Sequence, residues 1–268
     1  MTKWKQTNED ALPPKPNPEF VASFARGLDV IRSFGPDHRS QTLTEVAERT
    51  GLTRATARRF LLTLTELGLA RSDGKYFELT PAVLDLGHAY LSSLNVWDAL
   101  QPSLDAVSRD LDESCSAAVL SGTEIIYIAR AASRHRILSI GLRVGTRLPA
   151  HATSMGQVLI AQADPAALSA YFRQAKLRSF TAHPLAGREE LEARLAQVRA
   201  QGYAVCDQEL EEGLRSIAVP VLNRRGATLA AINVSSQAAR TSVEHMLRVF
   251  LPRLREAAAE INQAIYSL

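Results

Sequence analysis

The segment GLTRATARRFLLTL, Gly51 to Leu64, joins a basic, hydroxyl-bearing front to an apolar back. A helix explains both halves. Thr53 is a hydroxyl residue suited to capping a helix N-terminus. Phe60, Leu61, Leu64 and Leu67 recur at helical spacing and give one buried face, ended by Gly68. Just before it, LTEVAERT sets Leu43, Val46 and Ala47 on one side of a shorter helix that Thr42 or Thr44 can cap. Gly51 lies between the two, and glycine adopts the positive φ that closes a helix without strain. Helix, glycine turn and second helix form a helix-turn-helix, whose second helix presents its N-terminal residues to base edges in the DNA major groove. The expected DNA-contacting residues are Thr53, Arg54, Ala55, Thr56, Arg58 and Arg59, with Thr42 at the start of the first helix.

Downstream, Asp73-Gly74 is a hairpin signal between GLARS and KYFELT. It predicts a two-stranded ribbon, a wing carrying Arg71 and Lys75. From Thr53 to Lys75 there are five basic and two acidic residues, a net of +3, equal to the formal excess of all 268 residues. The charge is concentrated where an interface with DNA phosphates needs it. Upstream, Phe20, Phe24, Leu28 and Ile31 predict an amphipathic helix over 20–34.

The rest of the chain divides around these elements. Residues 1–19 hold four prolines and balanced charge and read as a flexible tail; 20–80 is the winged helix-turn-helix. Residues 81–95 read as a linker helix, opened by Thr80-Pro81 and bearing more apolar surface (Val83, Leu84, Leu86, Leu91, Leu94) than a free connector needs. Residues 96–268 read as an α+β domain. It has a helix from Val96, a hairpin about Ser121-Gly122, a strand in HRILSIGLRVG, and helices SMGQVLIAQA and REELEARLAQVRAQG. Three strands between Gly202 and Ser236 and a last helix bent at Pro252 complete it. Hydrophobic residues make up 46% and charged residues 22%, enough for a large core. Two cysteines, no apolar 18-residue window and no signal-peptide core suit a reducing cytoplasm and no membrane contact.

Nucleophile-elbow, zinc-protease, phosphate-loop and dinucleotide motifs are absent from the sequence. Asp207 with Glu209 lacks a nucleophile or metal partner, Cys206 reads as a buried thiol, and His135 as a surface residue. Catalytic residues, cofactors and metal ligands are therefore not expected. An enzyme acting on a small carboxylic acid through the second domain is the alternative, and a ligand-free architectural DNA binder is another. Ser154 stands three residues before Gln157, the spacing of a capping box, and free amides at that helix start can receive an anion. His151 lies beside this helix and reads as a hydrogen-bonded structural residue or a ligand contact.

Four blocks, LTEVAERTGLTRATARRFLLTLTELGLARSDGKYFELTPAVLDLGHAYLSS, VGTRLPAHATSMGQVLIA, GYAVCDQELEEGLRSIAVPV and AAINVSS, resemble the IclR family of bacterial transcription regulators. They are most similar to the branch governing aromatic-acid catabolism through the β-ketoadipate pathway, the PcaR, PcaU and PobR type. The resemblance covers about residues 20–265. It implies an α+β chain with a winged helix-turn-helix, a linker helix and a GAF-like effector-binding domain, assembled as a homodimer or homotetramer on a palindromic double-stranded DNA operator. It also implies a small carboxylate effector in a pocket formed by Ser154, Met155, Asp207, Ser216, Asn233 and Ser235. Relatives with smaller ligands carry Cys and Ser where this chain has Ser216 and Asn233, which points to an effector larger than glyoxylate.

Overall fold

The computed structural model describes residues 19–35, 37–87, 97–133, 142–182 and 187–267. The tail over 1–18, His135, the strand expected in HRILSIG and the Leu91–Leu94 half of the linker helix lie outside these residues. The chain divides into two compact units, Met1–Ala89 and Tyr90–Leu268.

In the first unit, α1 (Ala22–Arg32), α2 (Leu43–Thr50) and α3 (Arg54–Glu66) surround a core of Val30, Val46, Ala47, Ala57, Leu61, Leu64, Ala70 and Phe77. The stripe expected on α1 is only partly used. Phe20 and Phe24 are 61% and 69% exposed, and Val30, outside that stripe, is the fully buried residue. The wing has three strands where two were expected. β1 (Ser40–Thr42) and β2 (Ala70–Ser72) flank β3 (Tyr76–Leu79), all antiparallel. Three polar residues running into a helix cap give no strand periodicity, so β1 is invisible in the sequence. The turn closes over Asp73–Tyr76, because the Asp73 carboxylate accepts from the Lys75 and Tyr76 amides at 2.9 and 2.8 Å. A 3-10 turn, Pro81–Val83, follows; beyond it Leu84 and Leu86 are 73% and 55% exposed.

The second unit is a six-stranded antiparallel sheet. β4 (Ser114–Ser121), β5 (Glu124–Ala131), β6 (Arg147–Pro149), β7 (Ala204–Asp207), β8 (Leu214–Leu222) and β9 (Thr228–Gln237) take the order β6-β5-β4-β9-β8-β7. One face is covered by α4 (Trp97–Leu111) and α8 (Leu251–Ser267), whose Leu100, Leu104, Leu254 and Ile261 pack on Ile217, Val219, Ile232 and Val234. The other face is covered by α5 (Ser154–Ala161), α6 (Pro165–Gln174) and α7 (Arg188–Gln201). Met155, Val158, Tyr171, Leu191 and Leu195 pack there against Ala118, Ala218 and Ala231. The α6 helix was not anticipated, although Asp164-Pro165 carries a start signal: the Asp164 side chain accepts from the Ala167 amide at 2.7 Å and proline occupies the first helical position. The irregularity expected at Pro252 falls one turn earlier, as a π turn over Met246–Phe250. Proline lacks a donor and crowds the preceding turn, and the wider turn accommodates both.

Candidate functional site

In the first unit the two caps fix the turn between α2 and α3. Thr42 and Glu45 form a reciprocal capping box: the Thr42 amide and hydroxyl donate to Glu45 Oε2 at 2.7 and 2.8 Å, and the Glu45 amide donates back at 3.4 Å. The backbone bond from Thr42 holds the Glu45 carboxyl below its ordinary pKa. Thr42, expected to contact DNA, thus has its hydroxyl engaged in the cap. Gly51 closes α2 at φ 66°, and Thr53 accepts from the Thr56 amide at 3.2 Å. With Ala57, Leu61 and Leu64 turned into the core, the helix leaves Arg54, Ala55, Arg58 and Arg59 exposed. No carboxylate pairs with these three arginines among the described residues. Arg71 differs: it donates to Glu78 Oε2 at 2.7 and 3.2 Å across the wing and lowers the Glu78 pKa. Lys75 sits at the wing tip with its ammonium 5.1 Å from the Tyr76 ring centre.

In the second unit, strand register gathers the expected effector residues. Ser216 lies opposite Ser235, which lies opposite Ser114, and Cys206 continues that row beyond Ser216. The next row along the strands runs Arg130, Ser116, Asn233, Ala218. Cross-strand partners share a face, so both rows look toward α5. The Ser154 and Ser216 hydroxyls meet at 2.8 Å, both buried. Asn233 donates to Ser235 at 3.0 Å, while its buried Oδ1 has no hydrogen-bond partner among the described residues. Met155 is fully buried among the apolar residues of the same layer.

The sequence reading missed Arg130. Its guanidinium donates to the hydroxyls of Ser116 and Ser114, each at 3.3 Å. No acid is paired with it among the described residues, and burial pulls its pKa below the ordinary value for arginine. Arginine is seldom buried unpaired, since losing water costs more than neutral hydroxyls return. The signal was present: after Glu124, EIIYIARA sets one cation within an otherwise apolar run. Missing was the register that places it opposite Ser116.

Two expectations are corrected, and of the two readings of His151 the hydrogen-bonded structural one is the one seen. Ser154 does not cap α5. Thr153 does, accepting from the Gly156 amide at 3.2 Å. The Gln157 side chain instead donates to the His151 carbonyl at 3.0 Å and to Glu209 at 2.8 Å, so no Ser154–Gln157 capping box forms. Asp207 alternates with Cys206 and turns to the other face, where it pairs with Arg215 at 2.7 and 2.8 Å. His151 is buried, its Nε2 donates to the Arg178 carbonyl at 2.9 Å and its ring lies beside Phe180. Glu209 accepts from Gln157 and Arg194, and burial raises its pKa. Burial also pushes the neighbouring Cys206 thiol well up, which suits an inert sulfur. Among the described residues, no group of three or more His, Cys, Asp or Glu is placed to hold a metal ion, and no helix is long and apolar enough to cross a membrane.

Comparison with known proteins matches both units to family models. Residues 23–74 match the IclR helix-turn-helix domain, and residues 88–263 match the bacterial transcriptional regulator IclR C-terminal domain. The chain is 45% identical over 250 residues to the Pca regulon regulatory protein of Pseudomonas putida, covering 93% of this chain and 86% of that protein. It is 35% identical over 251 residues to the p-hydroxybenzoate hydroxylase transcriptional activator of Acinetobacter baylyi, covering 92% and 93%. An IclR homologue from Microbacterium hydrocarbonoxydans, solved with 4-hydroxybenzoate, superposes with a TM-score of 0.81 at 26% identity, covering 92% of this chain and all of that one.

Proposed function

The chain belongs to the IclR family of bacterial transcription regulators, and from that premise we propose that a small carboxylate of aromatic-acid catabolism controls it by binding at Arg130. One observation carries the reading: a half-buried guanidinium whose partners among the described residues are the neutral hydroxyls of Ser114 and Ser116, on the sheet face that also bears Asn233 and Ser216 and that Ser154 meets from the covering helix. Arginine recognises carboxylates bidentately, and such charge-assisted bonds are the stronger kind. The carboxylate is therefore assigned to Arg130 rather than to the α5 amides. Adjacent strands lie about 4.8 Å apart, so Ser216 stands two strands, about 10 Å, beyond the Ser114–Ser116 strand that the guanidinium reaches. That span suits a ring or six-carbon chain with a polar far end. 4-Hydroxybenzoate, protocatechuate and β-ketoadipate are the compounds to try.

The DNA side of the proposal is a palindromic operator read by the α3 front of two subunits. Exposed Leu84 and Leu86 support pairing through the segment after the wing, since a two-fold site requires a two-fold protein. Calorimetry with those three acids, on wild type and Arg130→Ala, tests the effector reading. Loss of one charged anchor weakens binding by about 3 kcal/mol, roughly a hundredfold. Equal affinity in the variant overturns it.

A further inference from the structure

A cavity of about 470 Å³ opens beside the 3-10 turn Ala150–Ala152. It shares no residue with the Arg130–Ser154 face. Its size falls in the range of small-molecule sites. Lys176 and Arg178 lie on its rim and carry no ion pair among the described residues. Glu124, the one acid among its described lining residues, is already matched by Arg147 at 2.7 Å. The net charge left to a ligand is thus two positive. One wall is aromatic: Phe180, 44% exposed, stands 5.9 Å from the buried His151 ring at an interplanar angle of 32°. With Nε2 donated to the Arg178 carbonyl, His151 keeps Nδ1 free of any hydrogen bond among the described residues.

We propose that this cavity is a second ligand site, for an aromatic carboxylate whose charge lies between Lys176 and Arg178 and whose ring lies against Phe180 and His151. Two cations select an anion, and the ring pair selects a flat apolar body. The site bears on the first one through the backbone. The His151 carbonyl accepts from Gln157, a residue of α5, so an occupant held against the His151 ring is linked through that bond to the helix that carries Ser154. The proposal stands independently of the role assigned to Arg130.

The test uses full-length protein with 15N-labelled histidine and benzoate as the probe. Six histidines give a spectrum that single substitutions can assign. In Arg130→Ala, where the first site is weakened, benzoate shifts the His151 ring resonances saturably, with a dissociation constant on the order of 1 mM for so open a site. Combining Lys176→Ala with Arg178→Ala weakens that response roughly tenfold or more, while Phe180→Leu, which keeps the charge, weakens it less. Resonances unmoved by benzoate overturn the proposal, and so does an equal response in the Lys176→Ala/Arg178→Ala protein. An equal response to acetate overturns it as well, because the ring is then not recognised. Failure of the Arg130 reading shows elsewhere, as unchanged calorimetric affinity in Arg130→Ala.

Discussion

Ser154 and Ser216 lie 62 residues apart and share a buried hydrogen bond of 2.8 Å. One belongs to the first turn of α5 and the other to β8, so the bond ties the covering helix to the sheet. Each hydroxyl can also turn to a ligand, since a serine both donates and accepts. Replacing Ser216 with alanine leaves the Ser154 hydroxyl without this partner, a cost of about 1–3 kcal/mol for a buried polar group. The Ser216→Ala/Asn233→Ala protein binds the effector roughly tenfold to a hundredfold more weakly, while ligand-free operator affinity stays near wild type. Calorimetry and gel-shift assays check the two halves; tight effector binding by the double variant removes these residues from the site.

On the DNA side, Arg58→Ala and Arg59→Ala each weaken operator binding, by about 1–3 kcal/mol where the lost contact is to a base. A lost phosphate contact weakens all sequences alike and flattens the salt dependence. Thr53→Ala acts by another route, removing an N-cap worth about 1 kcal/mol of stability. Binding titrations at several salt concentrations, beside thermal melts, separate the three. Full operator affinity in both arginine variants counts against α3 as the reading helix.

Gly156 admits no side chain. A Cβ there would stand 2.1 Å from the Ala150 carbonyl oxygen, a backbone atom with nowhere to go. Gly156→Ala is therefore expected to lose at least about 3 kcal/mol, the upper end of the usual overpacking cost. Urea denaturation measures it, and a loss below about 1 kcal/mol means the turn before α5 yields readily.

Acid acts with opposite sign on carboxylates of the two units. Backbone or side-chain bonds hold Glu45, Asp73 and Glu78 below their ordinary values of 4.5, 3.8 and 4.5. Stability from a depressed carboxylate is present above its unfolded pKa and lost as pH falls through the folded one. Glu209 is raised by burial, so its contribution is present below 4.5 and lost as pH rises through its elevated value. Below about pH 4.5, hydrogen exchange corrected for intrinsic rates loses protection in peptides over 40–50 and 70–79 before those over 204–217. The reverse order contradicts the assignment.

The sequence was most informative where the physics is local. The Thr42 and Thr53 caps, the Gly51 turn and the Leu61–Leu64 spacing of α3 depend on residues within a few positions of one another and stand where expected, whereas Leu67, expected on the same buried face, is 65% exposed at the end of the helix. The order of strands in the sheet does not. Arg130 shares a row with Ser116 and Asn233 because β5, β4 and β9 are neighbours, and that adjacency aligns residues about a hundred positions apart. A one-residue alternation likewise decides that Cys206 faces α5 and Asp207 does not. At the start of α5 two adjacent hydroxyl residues could each cap, and the backbone there favours Thr153.

The two rows that face α5 draw on β5, β4, β9, β8 and β7, with Ser154 added from the covering helix. The proposed effector site is thus held by no contiguous stretch of chain. A chimaera that grafts α5 and its preceding turn from a relative receives the lid-side hydroxyl but keeps the host's arginine and asparagine. Retuning such a regulator to a new inducer by recombination therefore means exchanging the whole C-terminal unit, whereas point libraries need only a few scattered codons on one side of the sheet.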